Sequence, residues 1–153
     1  MIIREYIKSD NSEIFKLFYN SVHSINRNNY SNDQLHVWAK KNTNPDEWCK
    51  KFENSYSLVA IENEKIIGFA NVDNDGYLES IYIDKNFQNK KVATTLMNEI
   101  QKFITKNNKN ELSTYSSVNA KSFFEKLGFK VESINILIRD KLELKNYYMK
   151  KAI

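Results

Sequence analysis

The stretch Tyr77-Leu-Glu-Ser-Ile-Tyr-Ile-Asp-Lys-Asn-Phe-Gln-Asn-Lys-Lys-Val-Ala-Thr-Thr-Leu96 joins two kinds of periodicity, and the rest of the chain is read outward from it. Residues 77–83 alternate as a strand. With regular pairing, Tyr77, Glu79, Ile81 and Ile83 would share one face. A helix is predicted over 91–105, its buried stripe formed by Val92, Leu96, Ile100 and Phe103 and thickened by Ala93, Met97 and Ile104. Helix N-termini favour acids, yet this one opens on Lys90 and Lys91, with no Asp or Glu between Asp84 and Glu99. Free backbone N–H groups, a positive dipole end and two lysines suit an anion, and a phosphate or pyrophosphate is the natural candidate. The alternative is a solvated lysine pair, tolerated at a cost of roughly a few tenths of a kcal/mol.

Upstream, residues 1–7 read as a first strand. Asp10-Asn11-Ser12-Glu13 reads as a capping box, followed by Ile14, Leu17, Phe18 and Val22 at helical spacing. The pattern breaks at 26–30. Ser31-Asn32-Asp33-Gln34 opens a short helix with Leu35 and Trp38, and Asn44-Pro45 opens another. Strands at 57–61 and 65–72, joined by Glu62-Asn63-Glu64, form a meander with 77–83, with a turn at Asn74-Asp75-Gly76. Downstream come a short strand at 111–115, a helix marked by Ala120, Phe123, Phe124 and Leu127 and closed by Gly128, and strands at 129–139 and 142–152. The whole reads as one mixed α/β domain, 1–153, around a single sheet.

Composition narrows the function classes. The chain has 153 residues, 41% apolar and 27% charged, which is one ordinary globular domain. One cysteine, Cys49, excludes an internal disulfide, and two histidines beside it make a His/Cys metal cage unexpected. The opening Met1-Ile2-Ile3-Arg4-Glu5 does not continue as a signal peptide, and no apolar run approaches a membrane span. A cytoplasmic protein away from membranes is the expectation. The net charge of +4 favours acidic ligands only weakly. It is spread out and accompanied by no nucleic-acid motif, so no nucleic-acid partner is expected.

Gln88-Asn89-Lys90-Lys91-Val92-Ala93, between a strand and an amphipathic helix, resembles the acetyl-CoA motif Gln/Arg-x-x-Gly-x-Gly/Ala of the GNAT superfamily. A second segment, Ser117-Val-Asn-Ala-Lys-Ser-Phe-Phe-Glu-Lys-Leu-Gly-Phe129, is similar to that family's Ala-x-x-Phe/Leu-Tyr-Glu-Lys-x-Gly-Phe segment. The two together cover the last half of the chain. Ser21-Val22-His23, Tyr30, Gln34, Trp38 and Gly76-Tyr77-Leu78-Glu79 look similar to the YafP-like branch. The resemblance implies a GNAT fold: a mostly antiparallel twisted sheet of about seven strands with helices on both faces. It also implies an N-acetyltransferase that moves acetyl directly from acetyl-CoA, without a metal, to a primary amine of a small molecule or peptide. A homodimer is left open. The alternative is a CoA-binding regulatory domain of the same fold with weak or lost turnover. Two departures favour that alternative: Lys91 stands where the family has Gly, and Phe124 where many members have a proton-donating tyrosine.

Site residues follow from the resemblance. Gln88, Asn89, Lys90, Lys91, Val92, Ala93 and Thr94 would hold the CoA diphosphate. Ile81, Tyr82 and Ile83 would offer backbone to the thioester, and Ser117 and Phe124 would complete the cofactor side, although Phe123, Phe124, Leu127 and Phe129 also read mainly as core. Glu79 is the candidate general base, since an attacking amine must be neutral and a positioned carboxylate can take its proton. It could equally be a surface glutamate or one satisfied by a lysine. His23, Tyr30, Trp38 and Tyr115 are candidates for the acceptor side, Tyr115 also as proton donor. Trp38 reads equally as core and His23 as an exposed helix-end residue.

Overall fold

The computed structural model describes residues 1–25, 30–88 and 91–153. Strand β1 (Ile2–Glu5) leads through a 3₁₀ turn into α1 (Asn11–Ile25), followed by α2 (Asn32–Trp38), α3 (Pro45–Trp48) and α4 (Lys50–Glu53). A meander of β2 (Tyr56–Glu62), β3 (Lys65–Val72) and β4 (Tyr77–Ile83) comes next. Then follow α5 (Val92–Lys106), β5 (Glu111–Ser117), α6 (Lys121–Lys126), β6 (Lys130–Arg139) and β7 (Leu142–Ala152). The seven strands form one sheet in the order β1-β2-β3-β4-β5-β7-β6. Every pairing is antiparallel except β4 with β5.

Turn chemistry fixes the register. Asn63 and Glu64 both have positive φ (51° and 63°), as do Asp140 and Lys141 (49° and 67°). These two-residue turns match the twist of the hairpins they close, Glu62↔Lys65 and Arg139↔Leu142. Gly76, at φ 92°, passes so close to β5 that an added Cβ would lie 2.3 Å from the Glu111 carbonyl oxygen. Only glycine lets β4 start beside β5 there.

Each face of the sheet has its own core. Val92, Leu96, Met97, Ile100 and Ile104 of α5 pack on Leu58, Ala60, Ala70 and Leu78. Phe103, expected in that stripe, is only partly buried and stacks on Tyr56 with ring centroids 4.0 Å apart. On the other face, Ile14, Phe18 and Val22 of α1 pack with Leu35, Phe52, Val59 and Phe69. Burial of each such side chain contributes roughly 1.5–3 kcal/mol.

The N-terminal capping differs from the expected box. Helical geometry starts earlier, at Lys8. Asp10 accepts from the Ile7 N–H at 3.0 Å and pairs with Arg4 at 2.9 Å. Glu13 accepts from the Ile66 N–H at 3.1 Å, so it ties α1 to β3 instead of capping it. The boxes at Ser31/Gln34 and the Asn44-Pro45 start form as read. Strand β6 ends the sheet and leaves Ile134, Ile136 and Ile138 exposed. Among the described residues, no helix is long and apolar enough to cross a membrane.

Candidate active site

Strands β4 and β5 pair only at Tyr77↔Ser113 and Leu78↔Thr114. Thr114 Oγ1 donates to the Leu78 carbonyl at 2.9 Å, the last tie between them. Beyond it the strands part, and the edge of β4 carries no ladder partner on that side among the described residues. A cavity opens on each face of this gap, one of about 690 Å³ on the α1–α4 side and one of about 500 Å³ beside α5 and α6. Tyr82 and Ser117 belong to the walls of both.

The smaller cavity is lined by Ile81, Tyr82, Ile83, Gln88, Lys91, Val92, Ala93, Thr94 and Ser117, all singled out in the sequence. Asn89 and Lys90 lie outside the described residues. Gln88 Nε2 donates to the Ile83 carbonyl at 2.8 Å, which folds the turn back onto the end of β4. Lys91 adopts the left-handed conformation (φ 63°, ψ 13°) at the N-cap of α5. That geometry costs a non-glycine residue roughly 1–2 kcal/mol. It accounts physically for the glycine that the motif usually has here. No side chain caps α5 among the described residues, and its first turn holds no acid. Among the described residues, Lys91 and Lys126 are in the wall and no carboxylate is. The cleft therefore presents a helix mouth and the cations Lys91 and Lys126 to whatever enters it.

Phe124, expected on this cofactor side, is not in the cleft wall. It is 2% exposed and packs edge-on between Phe123 and Phe129, each 5.2 Å away between centroids. Helical spacing explains this: Asn119, Ser122, Phe123 and Lys126 form the stripe that faces the cleft, and Phe124 turns toward the sheet.

The larger cavity depends on a β-bulge. Asn71 pairs with Ser80 and Val72 with Leu78, so Glu79 is an extra residue in β4. A bulge reverses the alternation. Glu79 thus shares the chamber face with Tyr77, Ser80 and Tyr82, and not the apolar face of Ile81 and Ile83 that regular pairing predicted. Its Oε1 accepts from Asn71 Nδ2 at 2.9 Å. Burial pushes the Tyr77 phenol up to about 12, helped by Glu79, so Tyr77 keeps its proton at neutral pH. Lys51 lies 3.8 Å over the Trp48 ring. Burial lowers its ammonium below the usual lysine range, and the charge of Glu79 opposes this.

Of the acceptor-side candidates, Tyr30, Trp38 and Tyr115 line the chamber. The Tyr30 phenol donates to the Lys145 carbonyl at 3.0 Å and accepts from the Val118 N–H at 3.1 Å, so it ties β7 to the end of β5. Trp38 packs edge-on against Tyr30. Tyr115 is exposed between Tyr77 and Tyr148. His23 lines neither of these two cavities. Its Nε2–H donates to the Ala39 carbonyl at 2.9 Å, and its ring lies against Tyr19. Cys49 is buried and lines neither cavity, and burial pushes its thiol up to about 12. Sequence reasoning missed Lys51, Arg139, Lys145 and Asn146, which also line the chamber. They come from α4 and the β6–β7 hairpin, and no local pattern marks them.

A family model for the acetyltransferase (GNAT) domain matches residues 26–150. The chain is 28% identical over 128 residues to the uncharacterized N-acetyltransferase YafP of Escherichia coli K12, covering 84% of this chain and 80% of that protein. Among solved structures, a GCN5-related N-acetyltransferase from Rhodopseudomonas palustris superposes with a TM-score of 0.94 at 22% identity, covering 99% and 95% of the two chains. The PaiA N-acetyltransferase of Thermoplasma acidophilum, solved with coenzyme A, superposes with a TM-score of 0.83 at 21% identity, covering 99% and 98%. These structural likenesses give the fold, and the family model spans most of the sequence. The chain belongs to the GNAT acetyltransferase domain family.

Proposed function

We propose that this protein binds acetyl-CoA in the cleft between β4 and α5 and passes the acetyl group directly to a primary amine held in the chamber on the opposite face. The observation that carries the reading is the gap between β4 and β5. It joins a cleft with cations and no carboxylate to a chamber that holds Glu79. The Thermoplasma neighbour was solved with coenzyme A, and the splayed strands and uncapped helix mouth here fit the same group. Amides of Val92, Ala93 and Thr94, with Lys91, would hold the diphosphate; Asn89 and Lys90 join them by resemblance. The edge of β4 at residues 81–83 would align the acyl arm. The thioester supplies an activated acyl group.

The chain's own residues do the remaining work. Glu79 removes the proton from the incoming ammonium, directly or through water, and Asn71 fixes its carboxylate. Tyr77, which stays protonated, and Tyr115 stand beside it as hydroxyl donors. Phe124 cannot donate a proton, and its place in the core removes it from this step. Holding both reactants across one gap supplies the proximity that direct attack requires.

Initial-rate kinetics with acetyl-CoA and amine both varied test this. Intersecting double-reciprocal lines with CoA release are expected. Parallel lines would indicate an acyl-enzyme and contradict direct transfer. CoA bound without turnover on any amine would support the regulatory-domain alternative.

A further inference from the structure

We infer that the acceptor is a small primary amine bearing an anionic group, a carboxylate or its phosphonate equivalent, received at the Arg139 end of the chamber; this rests on the acetyl-transfer reading above. Among the described residues, the chamber wall holds three cationic side chains, Lys51, Arg139 and Lys145, and one carboxylate, Glu79. Several other cations of the protein are paired: Lys40 with Asp140 at 2.8 Å, Lys65 with Asp84 at 3.5 Å, Lys150 with Glu111 at 3.4 Å. Arg139 has no ion pair among the described residues. The carboxylate beside it in sequence, Asp140, is the one that Lys40 holds.

Arg139 closes β6 where the chamber meets a further pocket of about 330 Å³, and it lines both. A guanidinium is always charged and presents a planar fork of donors, which matches a carboxylate in two bonds. The opposite need appears elsewhere in the same wall. Glu79 and the buried Oδ1 of Asn146, which has no partner among the described residues, both accept N–H. A ligand that satisfies both has amine donors and an anion in one small molecule. The same charge balance disfavours polyamines and aminoglycosides, which bring several ammonium groups to a wall with cations in excess.

The test is acceptor turnover in matched pairs: L-phenylalanine against phenethylamine, L-leucine against 3-methylbutylamine, with spermidine as the polycation, followed by CoA release from acetyl-CoA. Each carboxylate-bearing member should exceed its decarboxylated partner in kcat/KM by about tenfold or more, with spermidine lowest. Arg139→Gln should bring that ratio to within about twofold, and Arg139→Lys should retain part of it. Both variants should unfold at the parental midpoint, because Arg139 is exposed and has no ion pair among the described residues. A ratio near one, or a ratio that survives Arg139→Gln, overturns the inference and leaves acetyl transfer standing. Absence of turnover with every amine, acetyl-CoA still bound, overturns both.

Discussion

The two cavities that meet at Tyr82 and Ser117 are built in different ways. Much of the cleft beside α5 comes from one continuous run, from Ile81 through the turn to Thr94, and its chemistry is that of main chain and a helix end. The chamber on the other face collects single side chains from α1, α2, α3, α4, β4, β5, β6 and β7. A surface made of backbone tolerates exchange of side chains. Lys91 illustrates this, since it occupies a left-handed position suited to glycine and α5 still starts there. A surface made of side chains depends on each one. Substitutions on the two sides should therefore move different quantities: CoA affinity and stability on one, turnover and acceptor choice on the other.

The largest effect belongs to the chamber. Glu79→Gln should lower kcat by about 10²–10⁴ with CoA affinity retained; turnover unchanged across pH would remove Glu79 from the mechanism. The cofactor side should respond more gently. Lys91→Gly relieves roughly 1–2 kcal/mol of left-handed strain and loses part of that to the freer unfolded chain. Denaturant unfolding should show a net gain of about 0.5–1 kcal/mol, with CoA affinity preserved or improved. A tenfold loss of affinity would show that the lysine charge itself grips phosphate, and the cleft would then depend on side chains as the chamber does. Thr94→Ala should weaken CoA by about threefold if its hydroxyl reaches a phosphate oxygen, and identical calorimetric titrations would refute that contact.

The same difference decided what was legible in the sequence. Strands β3 and β4 start and end where the alternation and turn residues put them, because Asn63-Glu64 and Asp75-Gly76 state their turns locally. The cleft followed for the same reason: strand, turn and helix mouth are consecutive. Regular alternation puts Glu79 on the face of Ile81 and Ile83, and the bulge that moves it depends on how Asn71 and Val72 pair across the sheet. Asp10 was read as the start of a local box, while its partner Arg4 lies in the preceding strand. His23 was grouped with the acceptor side, although the end of α2 supplies the carbonyl that claims its ring. Arg139 left no signal, since one arginine at the end of an edge strand reads as solvated until the β6–β7 hairpin brings it to the chamber.

Amide chemical shifts of the isotope-labelled protein, recorded on titration with CoA, test the central claim most directly. The account predicts saturable changes concentrated at residues 81–83 and at Val92, Ala93 and Thr94, with little change at Glu79 and Arg139. Saturable changes centred on the chamber, or none at millimolar CoA, would contradict it.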